Sequence, residues 1–217
     1  VNKENLLNEN FSAVKEGCQN LKRHIENIKI FGVTPIVAIN HFINDSDLEI
    51  SEIVKFVNKL DTEAVLCKHW ANGSEGTKNL ANKVVEICNN SKKNLQFLYK
   101  DDDTLINKIK RIAKNIYRAD DIMIDDKVIN QLNQWQNSGF QKFPICMAKT
   151  QYSFSADPKL LGAPSGFKIP IKEVRLLSGA GFIVVVCGDI MTMPGLPKKP
   201  AAEEIFINPN GDIEGLF

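Results

Sequence analysis

Phe11, Val14, Cys18, Leu21, Ile25 and Ile28 recur at alternating spacings of three and four. That rhythm puts one apolar stripe on a helix, predicted over roughly residues 5–28. Gly32 and Pro35 break it. The run Pro35-Ile36-Val37-Ala38-Ile39 that follows is short, wholly apolar and rich in β-branched residues, as in a buried parallel strand. Ser46-Asp47-Leu48-Glu49 has the form of a capping box, and Ile50, Ile53, Val54, Val57 and Leu60 supply the helical stripe behind it. Ala64-Val65-Leu66-Cys67 reads as a second buried strand, and Leu80, Ala81, Val84, Val85 and Cys88 mark another helix. Helix, strand, helix, strand, helix is the order of a doubly wound parallel sheet.

The polar stretch 89–103 carries Ser91-Lys92-Lys93 and Asp101-Asp102-Asp103, so a boundary is expected near residue 100. Beyond it, Leu105, Ile109, Ile112 and Ile116 define one helix; Val128, Leu132 and Trp135 define a second. From Phe143 the texture changes, with prolines and glycines punctuating short strands expected at 145–148, 174–177 and 182–186. Long loops between such strands are where binding function concentrates.

Composition narrows the classes. Hydrophobic content of 43% and charged content of 24% suit a globular domain, and a net charge of +1 gives no electrostatic reason to expect nucleic acid or an anionic membrane. The five cysteines are odd in number, lack a C-x-x-C pair and mostly sit in apolar runs, which suggests buried thiols in a reducing, cytoplasmic setting. No run reaches the length of a membrane span. The sequence opens on Val1 in a polar stretch without a signal-peptide pattern, as expected of a fragment or a processed product.

Ligands of open parallel sheets bind beyond the carboxyl ends of the strands. The first strand runs into Asn40-His41-Phe42 and the second into Lys68-His69-Trp70. A right-handed crossover opens both ends on one edge, where Phe42 and Trp70 face each other across a gap suited to a flat heteroaromatic ring; the rival reading is that both fill a core. Trp70 continues through Ala71-Asn72-Gly73-Ser74-Glu75-Gly76 into a helix, a turn able to hold an anion or simply to be capped by Ser74. There is no G-x-x-x-x-G-K-[ST] phosphate loop. Gly179-Ala180-Gly181 precedes a strand instead of opening a helix, which fails the context of a dinucleotide site. His24 borders the first helical stripe and reads as structural; His41 and His69 flank the crevice, but no metal-ligand spacing is present.

Three C-terminal segments remain: Ala148-Lys149-Thr150-Gln151-Tyr152-Ser153, Gly162-Ala163-Pro164-Ser165-Gly166-Phe167, and Met193-Pro194-Gly195-Leu196-Pro197. Together with Asp157-Pro158, Met191-Thr192, Lys199-Pro200-Ala201-Ala202, Phe31-Gly32, Val37-Ala38-Ile39-Asn40, Phe42, Trp70, Ile116-Tyr117 and Ala119-Asp120, they resemble the formate–tetrahydrofolate ligases along essentially the whole chain. The closing Gly215-Leu216-Phe217 is similar to that family's C-terminus.

The resemblance implies parallel strand–helix units from an incomplete P-loop-NTPase-like sheet over 1–100, then a smaller α/β domain with long Pro/Gly-rich loops over 101–217. It implies ATP-dependent ligation of formate to tetrahydrofolate through formyl phosphate, with Mg²⁺ and a monovalent cation, in a homotetramer. Phe42 and Trp70 are then expected to sandwich the pterin, Ala163, Pro164, Ser165 and Gly166 to lie against adenine, and Met193 to Pro197 to help close the site. No catalytic residue is assigned. The chain departs from the family pattern at His41, where Arg or Lys is usual, and at Ser74 and Arg118, where glycine is usual. The family's phosphate loop belongs to an N-terminal portion outside these residues, so the chain alone is expected to be inactive. The alternative is a non-catalytic folate-binding or assembly module.

Overall fold

A computed structural model describes residues 1–90, 94–149, 153–190 and 197–215. The first helix, α1 (Phe11–Ile30), starts with its stripe at Phe11 and not near residue 5 as expected, because the Asn10 side chain accepts from Ala13 N and sets the terminus there. Cys18 and Ile25 are buried, while Phe11 and Ile28 at the stripe's two ends stay exposed. Gly32 follows with φ +70°, and a Cβ there would lie 2.0 Å from the Asn94 carbonyl oxygen. Glycine is needed at this point on both counts, since the segment after residue 93 folds back over it and Gln96 N donates to Phe31 O.

Strand β1 (Ile36–Asn40), helix α2 (Asp47–Asn58) and strand β2 (Glu63–Cys67) form a parallel strand–helix–strand unit, with Ile36 opposite Glu63 and Asn40 opposite Cys67. The capping box is complete: Ser46 Oγ accepts from Glu49 N, and Glu49 accepts from Ser46 N. The other Glu49 oxygen accepts from Asn10 N at 2.7 Å, which ties the start of α2 to the start of α1. A short helical turn, α3 (His69–Asn72), leads through Gly73 to Thr77 into α4 (Lys78–Asn90).

Both strands were expected to be buried. Only Ile39 and Cys67 are, because among the described residues this sheet has two strands and no flanking neighbours. The stripe on α4 departs further: none of its residues is buried, and Val84 and Val85 are exposed.

The second half packs differently. Helices α5 (Leu105–Asn115) and α6 (Asp126–Trp135) lie with a four-stranded sheet of β3 (Asp121–Met123), β4 (Ile145–Ala148), β5 (Lys168–Leu177) and β6 (Phe182–Cys187), in the order β3-β5-β6-β4. The β5–β6 pair is antiparallel and joined at Gly179-Ala180-Gly181; the other two pairs are parallel. The sheet is therefore mixed. Leu105, Ile109, Val128, Leu132, Ile169 and Ile183 anchor one continuous core.

The amine of Lys108, in the middle of α5, is wholly buried and donates to Gln141 O at 2.6 Å and Phe143 O at 3.2 Å, so the charged end of a core lysine is satisfied. A hairpin of β7 (Phe206–Ile207) and β8 (Ile213–Glu214) follows near the C-terminal end.

Helix α1 also touches this second half. Asn27 Nδ2 donates to Ile116 O at 2.9 Å, and Glu26 pairs with Arg118 at 3.7 Å. Arg118 has φ +58°. That left-handed backbone favours glycine and gives a physical reason for a glycine at this position.

Candidate functional site

Phe42 and Trp70 leave the carboxyl ends of adjacent parallel strands, and the local chemistry fixes each. His41 N donates to Cys67 O and continues the ladder one rung past β1. Phe42 N then donates to an Asp45 carboxylate oxygen at 2.8 Å, and Asp45 N returns to Phe42 O at 3.0 Å. This closed turn sets the backbone that carries the Phe42 ring. On the other side, Lys68 N donates to Gly76 O, so the loop bearing Trp70 closes on its own base. A Cβ on Gly76 would lie 2.4 Å from the Lys68 carbonyl carbon, hence the glycine.

The two rings end with centroids 6.3 Å apart and planes at 40°. Phe42 is 51% and Trp70 74% exposed, so neither fills a core. At that spacing the rings touch each other. A flat ring between them requires parallel planes about 7 Å apart, twice an ordinary contact distance. The expected open gap is therefore closed here, and a ligand needs a rotation and a widening of roughly 1 Å. An open pocket of about 500 Å³ lies beside the pair, lined by His41, Ile43, Lys68, Trp70, Ala71 and Asn72. Ser74 caps nothing: its carbonyl accepts from Thr77 Oγ1 in a 3₁₀ turn that runs straight into α4.

The loop of Ala163, Pro164, Ser165 and Gly166 lies elsewhere. It is docked on α1, where Asn20 Nδ2 donates to Gly162 O at 2.9 Å and Arg23 donates to Ala163 O at 3.0 Å and Pro164 O at 2.6 Å. None of these loop residues lines the pocket beside Trp70. Gly162 and Gly166 have φ of +69° and +73° with open space where a Cβ would stand, so conformation explains both glycines without a close approach. The Arg23 guanidinium also covers the Phe154 ring at 5.1 Å, while His24 packs on the same ring at 4.8 Å. Burial, with Arg118 nearby, pulls Arg23 below its ordinary pKa, and Glu26 opposes the shift.

Lys149 holds the next turn. Its ammonium donates to Ser155 O at 2.9 Å and to Ser153 O, and lies 5.6 Å from the centre of the Tyr117 ring. Burial lowers its pKa. Burial also pushes the thiol of Cys187 up to about 12, with Lys149 acting the other way. Of the five thiols, all free, Cys18, Cys67 and Cys187 are buried, while Cys88 and Cys146 are exposed against expectation.

Met193, Pro194, Gly195 and Leu196 lie outside the described residues, as do Thr150, Gln151 and Tyr152; Pro197 is exposed. Asn20, Arg23 and Asp45 were not singled out from the sequence. Only Asp45 had a local signal, standing three residues after Phe42 where an aspartate closes a turn.

The fold and this edge define a class: an α/β protein presenting an exposed aromatic pair where two parallel strands end, without a phosphate loop in its sequence. Comparison with known proteins makes the class specific. The sequence model of the formate–tetrahydrofolate ligases matches residues 1–217, and the chain belongs to that family. Similar proteins include formate–tetrahydrofolate ligases of Ruegeria pomeroyi (55% identical), Roseobacter denitrificans (56%) and Pelagibacter ubique (52%). Each alignment takes in all of this chain and 39% of the relative, so the chain spans about two fifths of the length of the curated relatives it matches.

Proposed function

We propose that the chain is the folate-ring and nucleotide-loop part of a ligase that joins formate to tetrahydrofolate at the expense of ATP, through formyl phosphate. The observation that carries this reading is the solvent-facing Phe42–Trp70 pair on the carboxyl edge of β1 and β2. Large aromatic faces held in water by closed turns suit a stacked planar ligand. In this reading the two rings turn parallel and take the pterin between them. Arg23 holds the Ala163–Gly166 loop against adenine, and Met193 to Pro197 close over the site.

The 217 residues hold no phosphate-binding loop. Phosphoryl transfer rests largely on positioning and charge stabilisation, so the chain by itself does not ligate. Among the described residues no group of three or more His, Cys, Asp or Glu side chains is placed to hold a metal ion; Mg²⁺ and a monovalent cation belong to the proposed reaction without an assigned site in this chain. A homotetrameric, reducing-compartment enzyme acting on small molecules completes the proposal. Among the described residues no helix is long and apolar enough to cross a membrane.

Fluorescence titration of the chain with tetrahydrofolate tests the reading. Trp70→Ala weakens binding by about 1–3 kcal/mol, the scale of a lost stacking contact; unchanged affinity rules the sandwich out. Formate-dependent ADP formation by the purified chain overturns its inactivity. Folate binding without ligation, even with the rest of the ligase supplied, favours the non-catalytic module.

A further inference from the structure

The turn that follows β4 is built around a lysine that the proposed function leaves unused. Lys149 stands one residue past the carboxyl end of β4, and its ammonium donates to Ser153 O and, at 2.9 Å, to Ser155 O. Those are the carbonyls on either side of Phe154. Ser153 Oγ donates onward to Leu160 O and Ser155 Oγ to Asp157 O at 2.9 Å, so the turn is closed on itself. Phe154 is 5% exposed, and its ring carries the Arg23 guanidinium at 5.1 Å and the His24 ring at 4.8 Å. From there Arg23 reaches Ala163 O and Pro164 O. Lys149, Phe154, Arg23 and the two loop carbonyls form one continuous series of contacts.

We infer that Lys149 is a positioning residue for the nucleotide: it fixes Phe154, Phe154 sets the plane of Arg23, and Arg23 sets the backbone of the Ala163–Gly166 loop. This rests on the reading of that loop as the one that faces adenine. The usual role of a lysine beside a nucleotide is as a point charge on phosphate. Here the ammonium is directed into main-chain carbonyls of its own turn and lies 5.6 Å from the centre of the Tyr117 ring. A phosphate would have to draw it out of those bonds and leave two partly buried carbonyls without their donor. Arg23 needs the support, because a planar guanidinium reaches two carbonyls at once in one orientation. Stacking on the Phe154 ring selects that orientation. Loss of Lys149 therefore acts at the adenine end of the nucleotide, equally for ligands with and without phosphates.

Titration of the chain with adenosine and with ADP, followed by ligand-observed NMR, tests this. Lys149→Met is expected to weaken both ligands by the same factor, about three- to tenfold. A lysine that bound phosphate would instead weaken ADP and leave adenosine unchanged. The effect should also vanish in an Arg23→Ala background, since the two residues act in series. Hydrogen exchange along α5 reports whether each variant keeps its core. Should Lys149→Met fail to fold, Phe154→Leu keeps the apolar fill, removes the ring under Arg23 and is expected to give the same equal loss. The inference is overturned if only ADP weakens, if a folded variant binds adenosine like the parent, or if the losses of Lys149→Met and Arg23→Ala simply add. A parent chain that binds neither ligand removes the nucleotide-loop reading and this inference together, whereas parent binding with unchanged variants removes the inference alone.

Discussion

Between Leu105 and Cys187 the apolar pattern is satisfied within the chain: Leu105, Ile109, Leu132, Ile169 and Ile183 are shut off from water and pack as one cluster. Between residues 1 and 90 a pattern of equal strength leaves only Cys18, Ile25, Ile39, Val57 and Cys67 as buried hydrophobics among the described residues. Both halves carry regular helices and strands, so regular elements and a finished core are separate achievements. A stripe specifies that a face is to be buried, and it does not specify by what. In the second half the partner is local; among the described residues the first half has no strand beyond β1 and no layer above α4.

That contrast can be broken in several ways. The largest effect is expected from Leu132→Ala, which opens a cavity in a wholly buried site and costs about 2–5 kcal/mol in urea unfolding; a cost below 1 kcal/mol would mean the second core is not closed. Arg23→Ala removes a charged group that holds two carbonyls across the halves. A loss of about 1.5–3 kcal/mol is expected, with faster hydrogen exchange at 162–166.

The raised thiol of Cys187 gives a pH test. The folded pKa of about 12 stands above the ordinary thiol value of 9.0. The folded state therefore keeps a proton that the unfolded state releases, and this contribution is complete below pH 9 and lost as pH rises towards 12. The parent chain should lose up to about 1.4 kcal/mol per pH unit more than Cys187→Ala across that window; parallel curves would count against it. The smallest effect is expected from Val85→Ser on α4, within about 0.5 kcal/mol for the isolated chain. A larger loss would show that α4 is already covered.

Much of this was legible in the sequence, and for definite reasons. Ser46 and Glu49 mark a helix start because one reciprocal pair of hydrogen bonds satisfies two end groups at once. The run at 145–148 is a strand as read. The next strand along the chain, β5, was read from 174 only, although it begins at Lys168. A bulge between Ile171 and Glu173 shifts the inward positions from Ile169 and Ile171 to Val174 and Leu176, so the period of two breaks midway. Strand β3, three residues long, is too short to show any period. The last hairpin had a readable signal in Asn210-Gly211, where Gly211 takes φ +89°.

At the candidate site, Phe42 and Trp70 could be brought to one edge by topology alone. The docking of the 162–164 carbonyls on Asn20 and Arg23 could not. It joins residues 140 or more apart through backbone oxygens that leave no mark in composition or period.

In the proposed folate clamp, the contact between Phe42 and Trp70 makes the free site its own competitor. Two aromatic rings in a tilted contact hold each other by about 0.5–1.5 kcal/mol, and a planar guest that enters between them must displace that contact before it gains either inner face. Apparent affinity is lowered by roughly two- to tenfold relative to a pair held open. The same competition filters guests: one that stacks on a single ring leaves the incumbent in place, while one broad enough to take both faces recovers the loss twice over.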